Sequence, residues 1–192
     1  MRTARMTAEA VVSDELTTTT PILLATIRAA QHGDSRAFEE LMIVSERRVA
    51  HVAWRILGDA EEVKEAMQET FLRVFRHLKR YDESRDFFGW LYRIAVNVCR
   101  DLDQRRRRRR IFVPIDDALP LTTQPRTNDD VRLLRRAIDT LPERERLAII
   151  LRDIEELSTE DVAEILGNTP ATVRVQISKA RAKLRAFFGG KR

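Results

Sequence analysis

The segment after Gly167 carries hydroxyl, amide and basic side chains at a spacing that suits the major groove of a DNA duplex. Ala163, Gly167 and Val173 stand at the intervals of a helix-turn-helix: a small residue at the helix crossing, a glycine at the turn and an apolar residue that packs the second helix. Short side chains near a helix start, followed by amide and guanidinium groups, reach base edges and phosphates. We therefore predict DNA binding here, although the same spacing also occurs in helical hairpins that only pack a core.

The elements that position this segment have recognisable ends. Ser158 or Thr159 can cap the first helix, and Thr169 can cap the second, with Pro170 at its first position. The side chains predicted to face outward are Ala171, Thr172, Arg174, Val175, Ser178, Lys179 and Arg181, with Gln176 nearby.

Positive charge is concentrated in two blocks. The chain has 35 Lys and Arg against 30 Asp and Glu, a net charge of +5. Six consecutive arginines occupy residues 105–110, and no acidic residue follows Glu164. A single basic run usually marks a solvated face or linker, but two blocks that each end an apolar-periodic helix favour two contacts with a long polyanion.

Composition excludes several protein classes. Aromatic residues make up 6% of the 192 residues, with six Gly and six Pro, which suits helices better than a sandwich or barrel. The single cysteine, Cys99, excludes an internal disulfide framework and a cysteine-rich zinc site. No apolar run approaches the roughly 18–20 residues of a membrane span, and the N-terminus lacks the pattern of a secretion signal. We expect a cytoplasmic protein with no membrane insertion.

Apolar periodicity predicts an all-α fold with two helical domains joined by a flexible linker. Residues 1–21 are predicted to be a mobile arm, and residues 22–110 an N-terminal helical bundle broken at Gly33 and Gly58. Residues 111–128 hold three of the six prolines and no helical period, so we interpret them as the linker. Residues 129–188 form the predicted C-terminal helix-turn-helix domain, followed by a tail at 189–192.

Two motifs in the N-terminal half and two in the C-terminal half occur in a familiar order. Residues 65–72 (EAMQETFL) and 90–97 (WLYRIAVN) look like conserved region two of bacterial sigma factors. Residues 141–146 (LPERER) and 171–174 (ATVR) resemble region four. Because no third domain intervenes, the chain is similar to the extracytoplasmic-function group of the sigma-70 family, over roughly residues 30–187.

The resemblance implies core RNA polymerase as a protein partner. The helix that carries the first motif would dock on the clamp helices of the largest subunit, offering acids and an amide beside apolar anchors. A plain amphipathic core helix is the alternative interpretation, especially for Phe71. The implied polymerase-binding residues are Glu65, Gln68, Glu69, Phe71, Leu72 and Phe75.

The resemblance also implies promoter DNA as a partner at two elements. The loop and helix around residues 84–110 would recognise and open the −10 element, with Asn97 as a candidate for a pocket that holds an extruded base. The implied −10 residues are Ser84, Arg85, Asp86, Phe87, Phe88, Asn97, Arg100, Arg105 and Arg106. Region four would read the duplex −35 element. The implied −35 residues are Thr169, Thr172, Arg174, Val175, Gln176, Ser178, Lys179 and Arg181. Because Val175 and Gln176 stand where the family commonly has Ser and Arg, the resemblance does not fix the −35 sequence.

Family members are often held inactive by a dedicated anti-sigma factor, so such a partner is implied as well. We expect no metal, no cofactor and no enzymatic activity, because His32, His51 and His77 are scattered and no phosphate-binding glycine loop occurs. The main alternative is a stand-alone helix-turn-helix regulator, which would leave the motifs at residues 65–72 and 90–97 unexplained.

Overall fold

A computed structural model describes residues 21–112 and 129–189 of the chain. Every regular element in these two ranges is helical, which confirms the predicted all-α class. The described residues divide into two compact units after Arg100. The helices are α1 (Pro21–Gln31), α2 (Ser35–Leu57), α3 (Ala60–His77), α4 (Phe87–Phe112), α5 (Asp129–Asp139), α6 (Glu143–Ile149), α7 (Thr159–Leu166) and α8 (Pro170–Gly189). Residues 1–20, 113–128 and 190–192, which contain nearly all of the predicted arm, linker and tail, lie outside the described residues.

Aspartate caps and left-handed glycines separate the first three helices, as the sequence predicts. Gly33 has φ +97°, and the Asp34 carboxylate accepts hydrogen bonds from the backbone N–H groups of Arg36 (2.9 Å) and Ala37 (3.2 Å). Gly58 ends α2 with φ +69°, and Asp59 caps α3 in the same way. These caps satisfy backbone donors that helix starts leave unpaired, so each helix begins at a fixed residue.

Apolar stripes of α1, α2 and α3 form the core of the first unit together with the first half of α4. Ile27, Val52, Ala53 and Ala66 are completely inaccessible to solvent. An aromatic cluster lies under the start of α4, where the Tyr81 ring meets Phe87 edge-on at 5.6 Å and Trp90 at 5.0 Å between centroids. The cluster fixes the loop before α4 and therefore the direction in which that helix leaves it.

The second unit contains a helix-turn-helix formed by α7 and α8. Ser158 caps α7 through its hydroxyl, Gly167 turns the chain with φ +64°, and Thr169 caps α8 by accepting from the backbone N–H of Thr172 at 3.2 Å. Val162, Val173 and Ala180 are fully buried, and Ala163 is nearly so, where the helices pack on one another. One difference from the predicted pattern is that α6 ends in a π-helical turn, Ile150–Ile154, with Glu155 N–H bonded to Ile150 O at 2.9 Å.

The second unit also contains a buried ion pair between Asp103, near the end of α4, and Arg146 of α6. A guanidinium nitrogen of Arg146 lies 2.6 Å from the Asp103 carboxylate, and both side chains are at most 6% exposed. Arg106 donates to the other carboxylate oxygen at 3.0 Å. Removing one partner of such a pair typically costs about 3–5 kcal/mol because the other charge stays buried without compensation.

Candidate nucleic-acid interface

The exposed face of α8 contains most of the predicted −35 residues. Thr172, Arg174 and Ser178 are exposed along the first turns of α8, and Thr169 is exposed while it caps the helix. Val175, in the second turn of the helix, is 53% exposed. Lys179 and Arg181 complete the exposed set. The structure therefore brings seven of the eight predicted residues to one helix surface.

Gln176 is the exception, and its prediction as a base-contacting residue is corrected by the structure. Its side chain is 8% exposed, and its Oε1 has no hydrogen-bond partner among the described residues. The spacing explains the burial, because Gln176 shares a stripe with Val173, Ile177 and Ala180, which pack inward. The three-residue step from Val173 could have revealed this, but the amide chemistry of Gln suggested the surface.

Several basic side chains of α8 form ion pairs with acidic residues that precede the helix in the sequence. The sequence analysis did not predict these pairs. Arg174 pairs with Glu160 at 3.1 Å, and Arg181 donates to both oxygens of Asp153 at 2.7 and 2.9 Å. The hydrogen bond to Asp153 raises the pKa of Arg181 above its ordinary value. Because these pairs are largely exposed, each contributes little to stability and can be exchanged for a DNA phosphate.

An open groove of about 600 Å³ lies between the start of α6 and the exposed face of α8. Most of its exposed lining is apolar, with Lys179 and Arg144 as its basic members and Glu143 and Glu145 as its acidic ones. The residues that line it are Pro142, Glu143, Arg144, Glu145, Ala171, Thr172, Val175, Gln176 and Lys179. Arg144 is not among the predicted −35 residues, because the sequence alone does not indicate that the start of α6 lies beside α8.

A polar face of α4 contains the centre of the predicted −10 surface. Asn97 and Arg100 are exposed, while Ala95, Val96 and Val98 beside them are buried. Arg105 is exposed and Arg106 is half-buried against Asp103. Arg93 is also exposed one turn before Asn97, so it belongs to this face. The i, i+4 spacing of Arg93 and Asn97 could have identified it.

The remaining predicted −10 residues lie in the loop before α4 and at the start of that helix. Some of them are exposed and others are buried. Ser84 and Arg85 are exposed, with Ser84 donating through N–H and hydroxyl to Asp82, which lowers the Asp82 pKa. Asp86 is exposed, but its carboxylate also accepts from the backbone N–H of Gly89 at 2.6 Å, in the manner of a helix cap.

Phe87 and Phe88 are corrections to the predicted −10 surface. Phe87 is 1% exposed within the aromatic cluster, and Phe88 is 7% exposed. The Arg48 guanidinium lies 3.6 Å from the centroid of the Phe88 ring, and burial lowers the Arg48 pKa. Neither ring is available to a nucleic acid, and both instead support the loop that carries Ser84 and Arg85.

The predicted polymerase-binding residues form an exposed face on α3. Glu65 and Gln68 are exposed, Leu72 is 50% exposed and Phe75 is 64% exposed. Phe71 is half-buried, and Glu69 is partly covered by its ion pair with Arg73 at 2.7 Å. The face therefore combines exposed large apolar side chains with acidic ones.

Among the described residues, no three His, Cys, Asp or Glu side chains come together as a metal site. Cys99 is completely buried. In the same residues no helix has the length and apolar character needed to cross a bilayer.

Comparison with known proteins places these surfaces in a family. The profile described as Sigma-70 region 2 matches residues 43–111, and the profile described as Sigma-70, region 4 matches residues 132–184. These ranges cover most of α4 and most of the helix-turn-helix respectively. The fold and the two matched regions thus define a two-region transcription initiation factor.

Similar proteins give the group within that class. The chain is 36% identical over 170 residues to the ECF RNA polymerase sigma factor SigE of Mycolicibacterium smegmatis, covering 81% of this chain and 64% of that protein, slightly under two thirds of its length. It is 31% identical to the RNA polymerase sigma-H factor of Pseudomonas aeruginosa, covering 81% of this chain and 88% of that protein. A solved structure of CnrH in complex with the cytosolic domain of CnrY superposes with a TM-score of 0.69 at 26% identity, covering 88% of this chain and 98% of that one. The chain belongs to the sigma-70 family, in its extracytoplasmic-function group.

Proposed function

We propose that this chain is a dissociable sigma factor that binds core RNA polymerase, directs it to promoters through their −10 and −35 elements, and promotes strand opening. One observation carries the proposal: a single chain presents an exposed amide-and-arginine face on α4 and an exposed recognition helix, α8, in the order of the two matched regions. A stand-alone regulator needs only the second surface.

The face of α4 suits a melted −10 element. The Asn97 amide offers a donor and an acceptor to the edge of an unpaired base, whereas a phosphate would need only a donor. Arg93 and Arg100, one turn to either side, suit the sugar–phosphate backbone of the same strand. Ser84 and Arg85 on the preceding loop add exposed polar groups that contribute to base preference.

The face of α3 suits the core enzyme. Phe75 and Leu72 provide exposed apolar anchors, and Glu65 gives the surface an acidic edge that favours a basic helical partner. In this scheme nucleotide chemistry belongs to the polymerase, and the chain contributes binding surfaces only. Because it acts with core polymerase, we place it in the cytoplasm.

A regulatory protein is a further proposed partner. The similar protein CnrH has a solved structure in complex with the cytosolic domain of CnrY, and the family resemblance implies an anti-sigma factor as a partner of this chain. A protein that covers the exposed Phe75 and Leu72 would block polymerase binding and bury apolar surface at the same time.

The direct test is run-off transcription with purified core polymerase and a promoter library. We expect initiation at a subset of templates only when the chain is present. Phe75→Ala should weaken core binding at least tenfold, since it removes a central aromatic anchor. Ile43→Ala is the matched control: Ile43 is 65% exposed on α2 and lies outside the proposed face, so its removal should leave core binding unchanged.

Two outcomes would contradict this proposal. Tight binding to duplex DNA without any binding to core polymerase would favour the stand-alone regulator. Equal losses from Phe75→Ala and Ile43→Ala would remove the α3 face as the docking surface, provided that circular dichroism shows both variants folded.

A further inference from the structure

The centre of the recognition helix presents an apolar surface where hydrogen-bonding groups were expected. Val175 is 53% exposed and lines the groove together with Ala171 and the methyl-bearing side chain of Thr172. Pro142 lines the same groove from the start of α6. The contiguous surface that α8 offers here is therefore made of methyl and methylene groups.

Hydrogen-bonding side chains lie around Val175 rather than at it. Gln176 is 8% exposed, so its amide lies under the surface. The Arg174 guanidinium is 3.1 Å from Glu160 of α7, and Arg181 is bound to Asp153. Ser178 and Lys179 are exposed one turn further along the same face, so only the base edge directly opposite Val175 would meet carbon atoms.

Among the base groups that identify a base pair in the major groove, only one makes a favourable apolar contact. The C5-methyl group of thymine projects there, whereas the other edge atoms are hydrogen-bond donors or acceptors that lose water without compensation against a valine. The groove is also lined by two basic residues, Arg144 and Lys179, which can face the phosphates on either side of a base step, and by the acidic Glu143 and Glu145. The apolar part of the lining, together with its place on the recognition helix, points to duplex DNA as the occupant.

We propose that Val175 reads a thymine of the −35 element through its methyl group, with Ala171 completing the contact. The inference rests on the proposed function and specifies the base chemistry of one of its two DNA sites. Recognition at this position depends on shape and desolvation, so uracil, which pairs identically but lacks the methyl group, should be discriminated against.

The test replaces each thymine of a selected −35 element by deoxyuridine, one at a time, and measures holoenzyme binding. We expect one position at which the loss of the methyl group weakens binding about fourfold. This is the change in the dissociation constant expected when one buried methyl-sized group is removed. Val175→Ala should make that position insensitive to the replacement. Leu134→Ala, which removes another apolar side chain of the second unit, 42% exposed, should preserve the sensitivity.

The outcomes separate this inference from the proposed function. If the holoenzyme selects promoters but no thymine is sensitive, or if Val175→Ala retains the sensitivity, the methyl contact is overturned. The same holds if Val175→Ala leaves DNA binding intact and instead releases a bound regulatory protein. If the chain fails to direct core polymerase to any promoter, the proposed function itself fails.

Discussion

Asn97 is the residue on which the proposed −10 reading depends most directly. Its side chain is exposed and lies between Arg93 and Arg100 on α4, so its truncation creates no cavity. We expect Asn97→Ala to reduce discrimination at one −10 base by about tenfold, within the roughly 1–3 kcal/mol that a bidentate amide contact contributes. Promoter selection from randomised −10 sequences would measure this.

The control for Asn97 is Glu46→Ala, which truncates an exposed polar side chain on α2, away from the α4 face. It should leave base preference unchanged, and core binding should be unaffected in both variants. Unchanged preference in Asn97→Ala would remove Asn97 from the base-contacting set.

Tyr81 provides a prediction about pH. Burial and the nearby carboxylates, Asp86 foremost, raise its pKa from about 10 to about 12, and its hydroxyl donates to the Arg85 carbonyl. The folded protein therefore keeps this proton where the unfolded chain loses it. The stability from this group is complete below about pH 10 and is lost as pH rises toward about 12.

Ultraviolet absorbance of tyrosinate would check the Tyr81 prediction. Tyr92 is the other tyrosine, so in a Tyr92→Phe background the signal reports Tyr81 alone. We expect ionisation well above pH 10, and Tyr81→Phe should remove its share of the alkaline loss of stability. Ionisation of folded Tyr81 at its ordinary pKa would contradict the packing described for the loop.

Residue types alone misassigned three side chains, for one physical reason. Gln176, Phe87 and Phe88 have side-chain groups that could contact DNA bases. All three side chains are buried, so they are not accessible to DNA. For Gln176 the helical period did predict burial, because Gln176 follows the buried Val173 by three residues. For Phe87 and Phe88 it did not, since their burial depends on Tyr81 and Arg48 from other elements.

At the scale of elements, the turn of the helix-turn-helix depends on the backbone of one residue. Gly167 has φ +64°, and a Cβ placed there would meet nothing within 4 Å. Gly167→Ala should therefore cost about 1 kcal/mol from backbone strain alone, without a clash. Urea unfolding of the protein would measure this loss.

Gly189 supplies a control for the turn. A Cβ there also meets nothing within 4 Å, but its φ is not positive, so Gly189→Ala should be neutral or slightly stabilising. Equal effects of the two substitutions would show that the left-handed conformation is not what holds the turn.

The elements were the part of the structure most accessible from sequence. Asp34, Asp59 and Thr169 are short polar side chains placed directly before apolar stripes, and each caps the predicted helix. These signals are local, so they can be recognised in the sequence without knowledge of the tertiary fold. The π-helical turn at Ile150–Ile154 left no such signal, because its residues continue the same apolar period.

At the scale of the whole molecule, the distribution of charge is more informative than the net value of +5. The sequence predicted two basic blocks but not their acidic partners, since Asp153 and Arg181 are 28 residues apart and Glu145 and Lys183 are 38 apart. Such pairs depend on how helices pack. The basic surface of α8 is thus partly neutralised by carboxylates of the same unit.

The buried pair of Asp103 and Arg146 has a consequence for how the sequence can diverge. With both side chains at most 6% exposed, a lineage that mutates either charge alone passes through an unstable intermediate. Simultaneous replacement by two apolar residues of similar volume would escape that penalty. We therefore expect substitutions at these two positions to be coupled in evolution, although the positions are 43 residues apart in the sequence.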